Sequence, residues 1–276
     1  MKKLIFYTLV FSILQFTQHA QLAAQSINGN VVFKNNDVVF HQLDAHTWIG
    51  TGHLLFNESL YLVEGKDQAV LIDTGVKIPH LDKIVDSITK KPVMLVATHV
   101  HSDHVGNVSY FPELYINPAD TVNIPQAIPN YKGKVSYLKD GQIIDLGGRQ
   151  LEVVFTPAHT PGSTTFIDKA AGYGFSGDSF GSGNLLLFSG TFSQLIATCS
   201  KMSQIMKDDN IKILYPGHYN GENPETLQRV NDLITLSKNV LSGKVKSQKN
   251  TGNTFGLPFV VNEYGVRVNY NEKSLK

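Results

Sequence analysis

Cysteine is almost missing: Cys199 stands alone among 276 residues. One thiol forms no intrachain disulfide, which excludes a disulfide-stapled scaffold. With no metal-ligand residue type close to it in sequence, Cys199 reads as a small apolar residue buried in a helix. An excess of charge is missing too. Lys and Arg total 24 and Asp and Glu 23, a formal net charge of +1. There is no basic stripe to follow a phosphate backbone, so nucleic acid is not an expected partner. No apolar run reaches the roughly 20 residues that a membrane-spanning helix needs. Low complexity, interdomain linkers and repeats of roughly 20–50 residues are also lacking. What remains is a chain with 42% hydrophobic residues, enough to bury a sizeable core.

The first residues have the pattern of a targeting segment. Lys2-Lys3 form a positive start, and Leu4 to Phe16 is apolar apart from Thr8, Ser12 and Gln15. Ala20 to Gln25 is rich in small residues, with Ala24 placed for cleavage. The expectation is a secretory signal peptide over residues 1–24 and one folded domain over 25–276. The mature protein is then exported, periplasmic or secreted, with no stable membrane insertion after cleavage; an uncleaved N-terminal anchor is the alternative reading.

Behind that segment, β-branched and aromatic runs predict strands at Val31–Phe33, Val38–Phe40, Thr47–Gly50 and Ser59–Val63. Ala69–Ile72 and Val93–Ala97 are continuous apolar runs, the mark of buried strands. Leu81, Ile84, Val85 and Ile88 have helical spacing. The second half repeats the style. Strands are predicted at Ile143–Leu146, Leu151–Phe155, Thr165–Ile167, Gly174–Phe175 and Ile211–Tyr215, with a helix over 193–207. Asn223-Pro224-Glu225 predicts the start of a long helix ending near Leu241, with asparagine as N-cap. A polar loop over 244–258 precedes closing strands at Phe259–Val261 and Val266–Tyr270. Strands before and between helices in both halves predict a sheet core covered by helices.

The chemistry concentrates in His99-Val100-His101-Ser102-Asp103-His104, which follows the apolar strand 93–97. Imidazole nitrogen and carboxylate oxygen are zinc ligands, and four such groups in six residues exceed what one tetrahedral ion draws from one loop. His99 and His101 are two apart, so in extended chain they project to one side. Asp103 and His104 follow where the chain is expected to turn into a helix near Val105. His159, Asp178 and His218 lie at similar positions, each beside glycine or proline at the end of an apolar run. No serine or cysteine is read as a nucleophile.

These pieces together resemble the metallo-β-lactamase superfamily of hydrolases. The matching segments are Leu71–Gly75, Thr98–Asn107, Thr156–Ser163, Ser176–Asp178 and Tyr215–His218, in order along the chain. The resemblance implies an α+β fold, a four-layered αβ/βα sandwich with the site at one edge between two sheets. It implies that His99, His101 and His159 hold one zinc, that Asp103, His104 and His218 hold a second, and that Asp178 bridges them. Asp73 is then a partner that orients a ligand, and Asp103 is the residue that orients or deprotonates the nucleophile. Two zinc ions are expected per chain, although the same donors also suit iron and manganese.

Two metals sharing a hydroxide would cleave an ester, thioester, lactone or amide bond of a small molecule. Asp at 178, where the β-lactam-cleaving branches typically carry Cys or Ser, points away from antibiotics. A true β-lactamase and a metal-bound binding protein with little turnover are the alternative readings. Trp48, His53, Tyr219 and Ser179 are further candidates for the site mouth. His41, His46 and His80 are expected on the surface.

Overall fold

The computed structural model describes residues 27–53, 57–251 and 255–276. The expected signal peptide over 1–24 lies outside the described residues. The strands are β1 (Val31–Lys34), β2 (Val38–Asp44), β3 (Thr47–Gly52), β4 (Ser59–Glu64), β5 (Ala69–Ile72), β6 (Val93–Val96), β7 (Glu113–Ile116), β8 (Lys134–Tyr137) and β9 (Ile143–Asp145). They continue with β10 (Gln150–Phe155), β11 (Thr164–Asp168), β12 (Tyr173–Gly177), β13 (Leu185–Leu186), β14 (Ile213–Pro216), β15 (Glu225–Thr226), β16 (Gln248–Lys249), β17 (Phe259–Glu263) and β18 (Val266–Tyr270). The helices are α1 (Leu81–Ile88), α2 (Ser102–Val105), α3 (Ile124–Ala127), α4 (Phe192–Asp208) and α5 (Leu227–Leu241).

Strands β1 to β8 form one sheet in chain order. It is antiparallel as far as β5 and parallel from β5 to β8. The switch falls at β5, whose four residues are all buried, as a strand covered on both faces requires. The second sheet runs β15-β14-β12-β11-β10-β9, and a smaller third runs β13-β18-β17-β16.

Three apolar clusters set the layers. Ile49, Tyr61, Val63 and Ile72 of the first sheet meet Leu151, Val153, Phe166 and Phe175 of the second. On the outer side of the first sheet, Leu81, Ile84 and Val85 of α1 cover Leu60 and Leu71. On the outer side of the second, α4 and α5 cover Ile167 and Leu214 with Leu195, Met202, Val230 and Leu233. The order helix, sheet, sheet, helix is the expected four-layered sandwich. Cys199 is buried in α4 as anticipated, and burial pushes its thiol pKa up.

Some elements differ from the expectation. The long helix starts at Leu227 rather than at Pro224, and its N-cap is Thr226, whose hydroxyl accepts from Arg229 N. Asn223 instead bridges two loops, donating to the carbonyls of Ser182 and His218. Glu225 is drawn into a buried ion pair with Arg229 at 2.7 Å and is held out of the helix as a short strand beside β14. Helix α2 begins at Ser102, inside the ligand cluster, because its first turn closes on the His101 carbonyl. His41, expected on the surface, is buried on β2, cross-strand from the core residue Ile49. Strands β7, β8, β13, β15 and β16 were not expected; β13, β15 and β16 have two residues each, and β16 lies within the expected polar loop over 244–258.

Candidate metal centre

The ligand segments hang from strand ends of both sheets. His99 follows β6, His159 follows β10, Asp178 follows β12 and His218 follows β14. His101 is extended, with φ −111° and ψ 154°, and Asp103 and His104 sit in the single turn of α2. The two sheets are tied together here. Thr164 N donates to the Thr98 carbonyl at 2.8 Å and Ser59 N to the Gly217 carbonyl at 2.7 Å, while Gly217 N donates within the second sheet to the Gly177 carbonyl at 2.8 Å. Gly217 is demanded by space: a Cβ there would lie 2.3 Å from Asp178 Oδ1 and 2.7 Å from His104 Cε1.

All seven residues singled out from the sequence come together, in groups whose ligand atoms lie within 4.8 Å of one another. In the first group, His99 Nε2 and His159 Nε2 each lie 3.1 Å from His101 Nδ1. The tautomers follow from the outer partners. His159 Nδ1 is 2.7 Å from the Leu186 carbonyl, which only accepts, so Nδ1 carries the proton and Nε2 the lone pair. Thr98 Oγ1 spends its proton on Asp73 Oδ2 and accepts from His99 Nδ1, so His99 Nε2 also carries a lone pair. Two lone pairs therefore aim at a third imidazole nitrogen. His101 can offer one proton at most, which does not satisfy both.

The second group holds Asp103, His104 and His218. His104 Nδ1 donates to Asp73 Oδ2 at 2.9 Å, leaving Nε2 facing inward. That Nε2 is buried without a hydrogen-bond partner, and so is Asp178 Oδ1. Buried polar atoms are almost always paired, so two orphans in one site mark a missing ligand. Asp178 Oδ2 lies between the groups, 3.6 Å from His159 Nε2, 3.8 Å from His104 Nε2 and 3.4 Å from His218 Nε2. Asp103 Oδ2 is 3.6 Å from His218 Nε2 and 3.8 Å from His104 Nε2. Two ligands on one tetrahedral zinc lie about 3.3–3.5 Å apart, given Zn–N of about 2.0–2.1 Å. These separations are long for hydrogen bonds and fit donors around a cation.

The electrostatics differ between the groups. Burial pushes the His99 imidazole well below its usual pKa, and burial pushes His159 down to about 4. Neutral imidazole is the form that binds metal. Burial acts the same way on His104, but the carboxylates of Asp103, Asp73 and Asp178 outweigh it and push the pKa up to about 10. Burial raises the Asp178 carboxyl, yet His218 and His104 outweigh it and hold Asp178 well below the usual range. An unmetallated site thus compensates its carboxylates with imidazolium charge that a cation would replace.

Asp73 occupies the partner position that the sequence suggested. It adopts φ +63°, a left-handed backbone that a non-glycine residue takes at some cost. This turns its carboxylate onto Thr98 N at 2.7 Å, Thr98 Oγ1 and His104 Nδ1.

Trp48 is packed in the core beneath α1. His53 follows β3 at the end where Gly52 N donates to the Glu58 carbonyl and Ser59 N to the Gly217 carbonyl beside His218, and its own backbone N–H donates to the Asp37 carbonyl. Tyr219 turns its hydroxyl to the Gly221 carbonyl and packs its ring on Tyr215. Gly177-Asp178-Ser179-Phe180-Gly181 does spell Gly-x-Ser-x-Gly, against the reading that no serine has a nucleophile's setting. Yet Ser179 is buried and bonded to Thr156 Oγ1 at 2.8 Å, so it is a structural serine.

Sequence reasoning missed two features. Phe188 packs edge-on against His101 at 5.4 Å and His159 at 5.3 Å, walling the three-histidine group. Asp120, in the 3-10 helix Pro118–Asn123, is fully buried against the ligand loops.

The family model for the Metallo-beta-lactamase superfamily matches residues 54–218, more than half of the chain. The chain belongs to this superfamily. The acyl-coenzyme A thioesterase MBLAC2 of Homo sapiens is 27% identical over 236 residues, spanning 67% of this chain and 85% of that protein. A hydroxyacylglutathione hydrolase of Edwardsiella ictaluri is 26% identical over 227 residues, spanning 78% and 85%. A solved metallo-beta-lactamase of Erythrobacter litoralis, 19% identical, superposes with a TM-score of 0.61 over 76% of this chain and 99% of that one, which shows the shared fold. The chain is an enzyme, a hydrolase of the superfamily, with histidine and aspartate groups able to bind metal ions.

Proposed function

We propose that this chain is a dinuclear zinc hydrolase that cleaves an ester-type bond, most favourably a thioester, in a small molecule. The observation that carries the reading is the convergence of unpaired donors: two imidazole lone pairs on His101, with His104 Nε2 and Asp178 Oδ1 orphaned beside them. His99, His101 and His159 would hold one ion, Asp103, His104 and His218 the other, and Asp178 would reach both. When bound, the ions supply Lewis acidity and lower the pKa of a water to near neutrality.

The chain's own residues do the rest. Asp103, with 22% of its side chain exposed, is the carboxylate open to substrate, and it orients the attacking water and takes its proton. That proton then passes to the departing thiolate or alkoxide. Phe188 offers an apolar wall to the acyl portion and keeps water from the three-histidine side. The thioesterase among the relatives favours the thioester over lactone and amide. The pattern over residues 1–24 supports export to the periplasm or the medium.

Metal content and turnover of the purified full-length chain test the reading together. Two zinc equivalents and cleavage of acyl thioesters, abolished by chelation and restored by zinc, are expected. A metallated chain inert toward thioesters, esters, lactones and amides would identify a binding protein instead. Turnover of nitrocefin above that of thioesters would make it a β-lactamase.

A further inference from the structure

The three-histidine group is assembled from two loops on different sheets. His99 and His101 follow β6, and His159 follows β10. One side chain outside the seven donors grips both loops. Asp120 Oδ2 accepts from Val100 N at 2.7 Å, the amide between His99 and His101. The same oxygen accepts from Thr160 Oγ1 at 3.0 Å, in the residue after His159. Asp120 Oδ1 accepts from Gly162 N at 2.7 Å and from Asn123 Nδ2 at 3.3 Å. The carboxylate sits flush on the second loop, because a Cβ on Gly162 would lie 2.6 Å from Asp120 Cβ. Thr160 N in turn donates to Ser163 Oγ, closing that loop on itself.

Asp120 is fully buried, and no ion pair reaches it among the described residues. A buried carboxylate without an ionic partner is costly and persists where only an acceptor serves. Four donors point at its two oxygens, and an amide would turn an N–H toward one of them.

Asp73 grips Thr98 N in the same way, at 2.7 Å. The backbone N–H groups of the residues on either side of His99, Thr98 and Val100, are thus each held by a buried carboxylate. Asp73 continues to His104 in the second group, whereas Asp120 continues to the His159 loop. We propose that Asp120 is a positioning residue for the first metal, stapling the two loops so that His99, His101 and His159 converge before the ion arrives. The proposal rests on the two-metal reading above and assigns one residue to one of its two ions.

The test is metal titration of the full chain, stripped of metal, against a chromophoric chelator, with zinc and with cobalt(II). Cobalt absorption separates a site with three histidines from one with two histidines and the additional carboxylate of Asp103. Asp120→Asn should keep the wild-type circular dichroism and weaken one ion by about 10–100-fold, the range for orienting partners of metal ligands. The other ion should stay within about twofold, and the lost cobalt bands should be those of the three-histidine site. Thr160→Val removes a single hydrogen bond to the carboxylate, so it serves where Asp120→Asn folds poorly; it should weaken the same ion by a smaller factor. Equal loss at both sites, or wild-type affinity at both, would overturn the role of Asp120 and leave the two-metal reading standing. A wild-type chain that binds no metal would overturn both.

Discussion

The two halves of the metal centre are built on opposite electrostatic plans. His99, His101 and His159 form a neutral cluster in which burial keeps His99 and His159 unprotonated. Asp103, His104 and His218 form a charged one. His104 is completely buried, yet carboxylates push its pKa up to about 10. Exposure is uneven within each group: His99 and His159 are buried and His101 half-buried, while His104 is buried and Asp103 and His218 are half-buried. The neutral half is pre-shaped by backbone anchors and walled by Phe188. The charged half is held by mutual attraction between its carboxylates and imidazoles. The first therefore depends on geometry and the second on charge.

The largest effect should come from removing what the halves share. Asp178→Asn keeps the side chain's shape but replaces the oxygen that lies between the groups with a neutral amide. Both ions should weaken, and hydrolysis should fall by about 10²-fold or more, beyond the 10–100-fold expected for a partner one layer out. Metal content by mass spectrometry and single-substrate kinetics check it. Loss of only one ion would show that Asp178 belongs to one half.

A smaller effect should follow from Asp73→Asn, which tolerates the left-handed backbone at this position as aspartate does. It removes the charge facing His104 Nδ1 and the second acceptor for Thr98. The ion of the charged half should weaken by about 10–100-fold, with a lesser loss in the neutral half through His99. This is the reverse of the pattern for Asp120→Asn. Identical profiles for the two variants, measured in the same chelator titration, would erase the distinction between the halves.

How much of this was visible in the sequence follows from how local each signal is. The seven donors were legible because each follows an apolar strand and sits beside glycine, proline or another donor. The layers were legible because β5 and β6 are unbroken apolar runs and α4 has helical spacing. Asp120 was not legible. Its role lies in contacts to residues 100, 160 and 162, which only the packing of two sheets brings near. Glu225 misled for a related reason: beside proline it resembles a helix start, but its carboxylate is drawn to Ser182 N across the fold as well as to the nearby Arg229. Trp48 was a candidate for the site mouth, yet it lies on β3, whose residues are buried on both faces, and it packs into the core.

His41 supplies the smallest effect and a control for the neutral half. Like His99 it is buried, with its pKa lowered by burial and by Lys34, and its Nδ1 has no partner. Unlike His99 it faces no other donor, so no cation substitutes for its proton. The sign follows from linkage. The folded pKa lies below the unfolded value near 6.5, so the unfolded chain binds the proton first as pH falls. His41 thus stabilises the fold fully above about pH 6.5, and this contribution is lost as pH drops through the folded pKa. His41→Gln should flatten that loss by about 1 kcal/mol or less, some 2–4 °C in Tm for a chain of this size. The difference between variant and wild type should be the same with and without zinc, followed by thermal melts from pH 7.5 to 5. If zinc changes that difference, burial outside the metal centre is not independent of it, and the contrast between the two halves extends into the first sheet.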